Sequence, residues 1–546
     1  MGALWSRTAS GPNGSGEPAQ DQNIQDEEGE NTPPPPQQQQ QQQQQHQPEP
    51  HERTRLLPQQ NAYLSPDDPA VSPYNLWSVR ALRGLSLVSL AISFVWWTFL
   101  LTSIFVSPPM MHTRGSGFFA FAYTTLILGY IVHGLLFFAI PSKPMAIWGI
   151  ILSGLLLLDM CIIVAVPHLR LEEGWVGIAS VGWAVVISIY QAIQIRSVAW
   201  GKREEEERLT GREETRRPLR EWMAVLAELI LLTVMGVAVL LMTATLMLRA
   251  RDASLPPPGR RYFVNGDTYQ VHLACVGNRT SESADAPTIL LEGGTGPVEH
   301  TLQPFLDDIY RDGIIPRYCY WDRPGMGWSD TAPSPHSAGM AADALSEALA
   351  RAGERGSWIV VSAGVGGIYS RLFSSRHLLE VHGILLIDPL HEAYLPELAR
   401  PGRGFILWLR GVISPLGLDR LAGALVRGRS RRDRVAGRCA YQSGKFIKAK
   451  LQENLVAVTM TAAEVQSARH IQMGRTPLVV VSSGRQIQSD PRWEERQEDL
   501  SHLTNNLLSW DVVPEAPHEV WTDGEGRRVV EKRLRELVQK SSPYQP

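Results

Sequence analysis

A chain of 546 residues is longer than one ordinary domain, and 52 basic against 55 acidic residues, a formal net charge of −3, give no global field that would draw nucleic acid. Four cysteines exclude a disulfide-rich scaffold. The 44% hydrophobic content averages three unlike stretches: a polar start, a series of apolar runs and a mixed C-terminal region.

Residues 1–75 form the first stretch. Four prolines, Pro33 to Pro36, precede a polyglutamine run from Gln37 to Gln45. So little apolar surface cannot offset the entropy of ordering, which predicts a disordered tail. Gly2 with Ser6 fits the N-myristoylation pattern; the alternative is an inert N-terminus. Glu52 followed by Leu56 and Leu57 resembles an acidic dileucine signal read by cytosolic sorting adaptors, against a chance pair of leucines.

Residues 76–249 form the second stretch. Apolar runs at 84–106, 117–140, 145–166, 175–195 and 223–248 each exceed the ~20 residues a helix needs to cross the hydrocarbon core, which predicts five transmembrane helices in a lipid bilayer. Basic residues concentrate before the first run (Arg80, Arg83), in the second turn (Lys143) and in the loop expected after the fourth (Lys202, Arg203, Arg208, Arg212, Arg216, Arg217, Arg220). The opposite side carries Arg114 and Arg170. This bias predicts a cytosolic N-terminus, and five crossings then put the C-terminal region in a lumen or outside the cell. Arg249, Arg251, Arg260 and Arg261 run against it; the glycosylation sequon at Asn278 agrees with it. Asp159 and His133 are the one polar pair within the spans singled out for test.

After a linker at 250–258, residues 259–541 change character. Short apolar runs at 269–274, 288–291, 317–321, 358–361, 383–387 and 478–481 read as strands, with helical periodicity at 341–351 and 366–373 between them. Alternation of this kind predicts a mostly parallel α/β sheet.

Two motifs carry a family resemblance. Leu291-Glu292-Gly293-Gly294-Thr295-Gly296 is similar to the oxyanion-hole turn after the third strand of the α/β-hydrolase superfamily, and Asp322-Arg323-Pro324-Gly325-Met326-Gly327 resembles the turn after its fourth. The resemblance continues through Asp388-Pro389 to Pro517-His518-Glu519, and residues 393–475 resemble its helical cap. The whole layout resembles a fungal family of integral membrane proteins with such a domain. The fold implied is a multi-span α-helical membrane region plus an α/β-hydrolase fold. Cys275 and Cys319 would lie on adjacent second and fourth strands, where related hydrolases pair cysteines; two buried thiols are the alternative.

The expected nucleophile is missing. This fold presents a Ser, Asp or Cys on a strained strand-to-helix turn flanked by small residues. Aligned on Gly366-Gly367, the nucleophile position is Gly364, which has no side chain. Ser362, two residues earlier, keeps the strand face but is set back by about 6–7 Å. His518 matches the catalytic histidine and Asp388 the acid that orients it, with His391, Glu519 and Asp490 as lesser candidates. The oxyanion donors implied are backbone N–H groups of Gly294, Thr295 and Val365. No metal-ligand cluster, phosphate loop or nucleotide fingerprint is found, so no cofactor or metal is expected.

Three readings follow: a membrane-anchored pseudohydrolase that binds a ligand or partner; a lipid or ester hydrolase using Ser362 or a water activated by His518 and Asp388; a transporter or scaffold working through its spans. In the cap, apolar stretches at 405–412 and 416–426 precede the basic run 427–434. A cap facing the bilayer would admit a lipid-like ligand; a solvated basic face is the alternative. The dileucine-like signal leans towards vacuole-type endomembranes.

Overall fold

The structure is a computed structural model and describes residues 72–211, 219–278, 286–471 and 474–541. Gly2, Glu52, Leu56 and Leu57 lie outside the described residues, as do Arg279 and Thr280 of the sequon; Asn278 itself is exposed.

Five helices long and apolar enough to cross a membrane come first: α1 (Trp77–Phe105), α2 (Phe118–Leu136), α3 (Lys143–Ala165), α4 (Pro167–Thr210) and α5 (Leu219–Asp252). Their outward faces stay apolar, as Phe94, Ile150, Val186 and Val234 show by their exposure, which suits lipid as solvent. Between helices, polar side chains find one another: Trp183 Nε1 donates to Ser93 Oγ at 2.8 Å, and Ser86 Oγ donates to Gln194 Oε1 at 2.6 Å. Two expectations are corrected. Asp159 accepts from the Tyr123 hydroxyl at 2.9 Å, whereas the His133 ring nitrogens have no hydrogen-bond partner among the described residues and its ring packs on Phe137. Lys202, Arg203 and Arg208 sit not in a loop but on α4, which runs on as a charged helix to Thr210.

The C-terminal region is an eight-stranded sheet ordered β1-β2-β4-β3-β5-β6-β7-β8. Its strands are β1 (Arg260–Val264), β2 (Tyr269–Val276), β3 (Thr288–Glu292), β4 (Tyr318–Asp322), β5 (Trp358–Ala363), β6 (Val381–Ile387), β7 (Leu478–Ser483) and β8 (Leu507–Val513). Only the β1–β2 and β2–β4 pairs are antiparallel. The central strands β3 to β7 are buried along almost their whole length because helices cover both faces. The helices α6 (Gln303–Arg311), α7 (Ala338–Ala352) and α8 (Gly366–Arg376) follow β3, β4 and β5. Alternate β5 residues divide between two cores: Trp358 and Val360 pack with α7 and α8, Ile359 and Val361 with α6 and the C-terminal helix. This order and coverage are those of the α/β-hydrolase fold.

The cap after β6 is helical: α9 (Leu395–Leu398), α10 (Pro401–Ile413), α11 (Leu418–Leu425), α12 (Arg431–Ala436), α13 (Gly444–Val456) and α14 (Ala462–His470). Beyond it lie α15 (Gly484–Ser489), α16 (Pro491–Ser501) and α17 (Gly524–Ser541). The domain is seated on one end of the helical bundle, where α1, α3 and α5 finish and α2 and α4 begin. Thr331 N–H donates to the Arg114 carbonyl at 2.9 Å, and Ser334 N–H to Ser107 Oγ at 2.9 Å. Gly411 of α10 lies against the Phe118 ring at the start of α2, so close that no larger residue fits.

Candidate active site

The strand β5 ends in a turn that only glycine makes without strain. Gly364 has φ +54°, a left-handed conformation, and its backbone is held by three hydrogen bonds: its N–H to the Ile387 carbonyl at 3.1 Å, and its carbonyl from the N–H groups of Gly367 at 3.0 Å and Leu390 at 2.8 Å. Gly366 abuts the Gly293 carbonyl, so any Cβ there would collide with the oxyanion turn. These contacts keep the elbow shape.

His518 faces this turn. A Cβ built on Gly364 would lie 2.8 Å from His518 Nε2, the atom that would take a nucleophile's proton. His518 Nδ1 is 2.6 Å from Asp388 Oδ2. Asp388 is fully buried just beyond β6, and its other oxygen accepts from Trp493 Nε1 at 2.8 Å and Ser483 N–H at 3.1 Å. With three donors satisfied, the carboxylate is fixed and in turn orients the imidazole. Burial lowers the His518 pKa, but its hydrogen bond to the Asp388 carboxylate and the charge of that carboxylate outweigh it, holding it above the ordinary histidine value.

Gly294, Thr295 and Val365 flank the elbow from β3 and α8, and their N–H groups donate to no backbone carbonyl among the described residues. Gly294 packs on the Ala363 carbonyl, 3.4 Å from where its Cβ would be. Its own carbonyl accepts from Arg323, whose guanidinium also lies 3.4 Å from Glu292 and over the Tyr369 ring. Glu292 further accepts from Trp321 Nε1 at 2.6 Å, and burial pushes its carboxyl up to about 7 against the pull of Arg323. The hydroxyl of cap residue Tyr441 rests on Gly296.

Ser362 points elsewhere. It is fully buried, and its hydroxyl is paired with Ser370 Oγ at 2.8 Å beneath α8. His391 is also engaged: Nδ1 caps the Ala393 N–H and Nε2 lies 2.7 Å from Asp499. Asp490 caps α16 through the Arg492 N–H, and Glu519 is exposed. Cys275 and Cys319 oppose each other in register across β2 and β4 and are disulfide-bonded.

Trp493, Arg323 and Tyr441 were not singled out from the sequence. Arg323 lay within a quoted motif, but its reach to the Gly294 carbonyl joins two turns that only the sheet order makes neighbours.

Residues 52–275 match a family model described as a region of unknown function (DUF2417). An uncharacterized protein of Schizosaccharomyces pombe is 32% identical over 534 residues, covering 89% of this chain and 97% of that protein. The chain belongs to the same family. An uncharacterized vacuolar membrane protein of Saccharomyces cerevisiae is 27% identical over 324 residues, 51% of this chain and 50% of its own length. Among solved structures, an enol-lactonase from Burkholderia xenovorans is 15% identical, with 51% of this chain and all (100%) of that chain covered and a TM-score of 0.35. An esterase from Thermogutta terrifontis is 16% identical, with 52% and 100% covered and a TM-score of 0.35.

Proposed function

We propose that this family member is a membrane-anchored pseudohydrolase, which holds a ligand or partner on a hydrolase elbow without forming a covalent intermediate. The observation that carries this is the glycine at the nucleophile position. His518, Asp388 and the oxyanion turn are assembled around residue 364, and Gly364 offers no atom to attack with. Ser362 is a poor substitute, because its fully buried hydroxyl is paired with Ser370 Oγ. A second reading has its own support: His518 Nε2 faces the open elbow, where a water held by the histidine would serve as nucleophile without a covalent step. On this reading the N-terminus is cytosolic and the hydrolase-like domain lumenal, a topology supported by the basic residues flanking the spans; the vacuolar membrane relative of Saccharomyces cerevisiae supports the vacuole as the compartment. The exposed Asn278 then carries glycan; a mass unchanged by endoglycosidase would remove this topology.

Labelling membranes with a fluorophosphonate tests the nucleophile. Wild type and Ser362→Ala are expected to be silent and Gly364→Ser to be labelled, once the imidazole yields a few tenths of an ångström to the new Cβ. A labelled wild type that falls silent in Ser362→Ala would refute the proposal. The restored serine needs a neutral imidazole as its base. Because Asp388 raises the His518 pKa, labelling of Gly364→Ser should be full at high pH and fall as pH drops through a midpoint above that of an ordinary histidine.

A further inference from the structure

A cavity of about 230 Å³ lies where the cap meets the helical bundle, away from the elbow. Its wall is assembled from the beginnings of α2 and α4, the end of α5, and α10 to α13 of the cap. Six cationic side chains line it, Arg249, Arg261, Arg410, Arg420, Arg434 and Lys445, against three carboxylates, Glu172, Asp252 and Asp419.

The pairing inside is lopsided. Asp252 alone faces three guanidinium groups: Arg434 in two hydrogen bonds of 2.5 and 3.0 Å, Arg420 at 3.4 Å and Arg431 at 3.9 Å. Glu172 is shared by Arg249 at 2.9 Å and Lys445 at 3.1 Å, and Arg249 is also 2.7 Å from the buried Glu173. Two buried donors on lining residues, Arg249 Nη1 and Arg420 Nε, have no hydrogen-bond partner among the described residues. Lining cations in excess of lining carboxylates, six against three, are offset by an anion of matching geometry. Forked guanidinium donors suit the oxygens of a phosphate. The volume is below the roughly 300–1,000 Å³ of pockets for drug-sized ligands, so it suits a headgroup-sized anion.

The position adds to this. The cavity lies at the end of the five apolar helices, the level at which phospholipid headgroups meet a membrane protein. The cap beside it exposes Phe405, Ile406, Leu409 and Ile413 on α10 and Leu418 on α11, as a surface lying against acyl chains would. We propose that the cavity is a binding site for a phosphate-bearing anion, the headgroup of an anionic phospholipid or free phosphate. It is distinct from the elbow and independent of any chemistry there.

The full chain in nanodiscs of equal parts phosphatidic acid and phosphatidylcholine, released and weighed by native mass spectrometry, tests this. Wild type should retain phosphatidic acid about tenfold over phosphatidylcholine, and Arg420→Gln should lose most of that preference, as expected for removing one charge-assisted donor. Lys445→Gln, a milder change on the same wall, serves if Arg420→Gln does not fold. Inorganic phosphate added in detergent separates the sources: displacement of the retained lipid together with a raised unfolding midpoint assigns free phosphate, and retention unaffected by phosphate assigns the headgroup. Equal retention of the two lipids by wild type with no effect of phosphate overturns the proposal. So does a folded Arg420→Gln or Lys445→Gln with undiminished preference.

Discussion

The elbow and the junction cavity are both polar, but their balance differs. At the elbow the carboxylate behind the histidine is fully matched: Asp388 is met by three donors, and the turn's backbone is tied on both sides, while Glu292 Oε1 and Arg323 Nη1 beside it have no hydrogen-bond partner among the described residues. At the cavity, cations outnumber carboxylates and donors are left over. The elbow keeps a histidine and its carboxylate around a glycine that has no side chain. A site with surplus donors reads as one awaiting a ligand. The elbow is held by its own hydrogen bonds, whereas the side chains lining the cavity carry more cations than carboxylates.

Substitutions can break this contrast. The largest effect should come from Asp388→Ala, which leaves the buried Trp493 and Ser483 donors without their acceptor; a loss of about 2–4 kcal/mol is expected in denaturation of the detergent-solubilised chain. At the cavity, Arg434→Gln should cost only about 1–2 kcal/mol, because Arg420 and Arg431 still neutralise Asp252. Equal losses for the two would erase the distinction drawn between the sites.

Glu292 sharpens the comparison through pH. Its carboxyl is raised from 4.5 to about 7 by burial, so between these values the folded state binds a proton that the unfolded state has released. Stability from this group is therefore full below pH 4.5 and lost as pH rises through about 7. Thermal midpoints of Glu292→Gln should lack that decline, and a slope identical to wild type would show that Glu292 does not carry it. The smallest change is expected for Ser362→Ala, about 1 kcal/mol or less for one hydrogen bond to Ser370, with labelling of Gly364→Ser left intact.

Much of this arrangement was legible in the sequence. The spans, strands β2 to β7, the glycine at residue 364, Asp388 and His518 all follow from apolar run length or from turns in family order. Strands β1 and β8 were missed because they are edges: Arg260 and Arg261 begin one and Ser509 and Asp511 interrupt the other, so neither shows a buried run. Trp493 carries no motif, and its indole reaches Asp388 only because α16 folds beside β7. The cavity was invisible for a similar reason. Arg249, Arg420 and Lys445 belong to a span and two cap helices, and only the docking of cap on bundle turns scattered basic residues into one wall.

Hydrolysis of short p-nitrophenyl esters by the purified full-length chain asks whether an elbow with glycine at residue 364 turns over esters. Wild type and His518→Ala should give the same rate, equal to that of buffer. A wild-type rate above buffer that disappears in His518→Ala would contradict the pseudohydrolase reading and assign the histidine a working water.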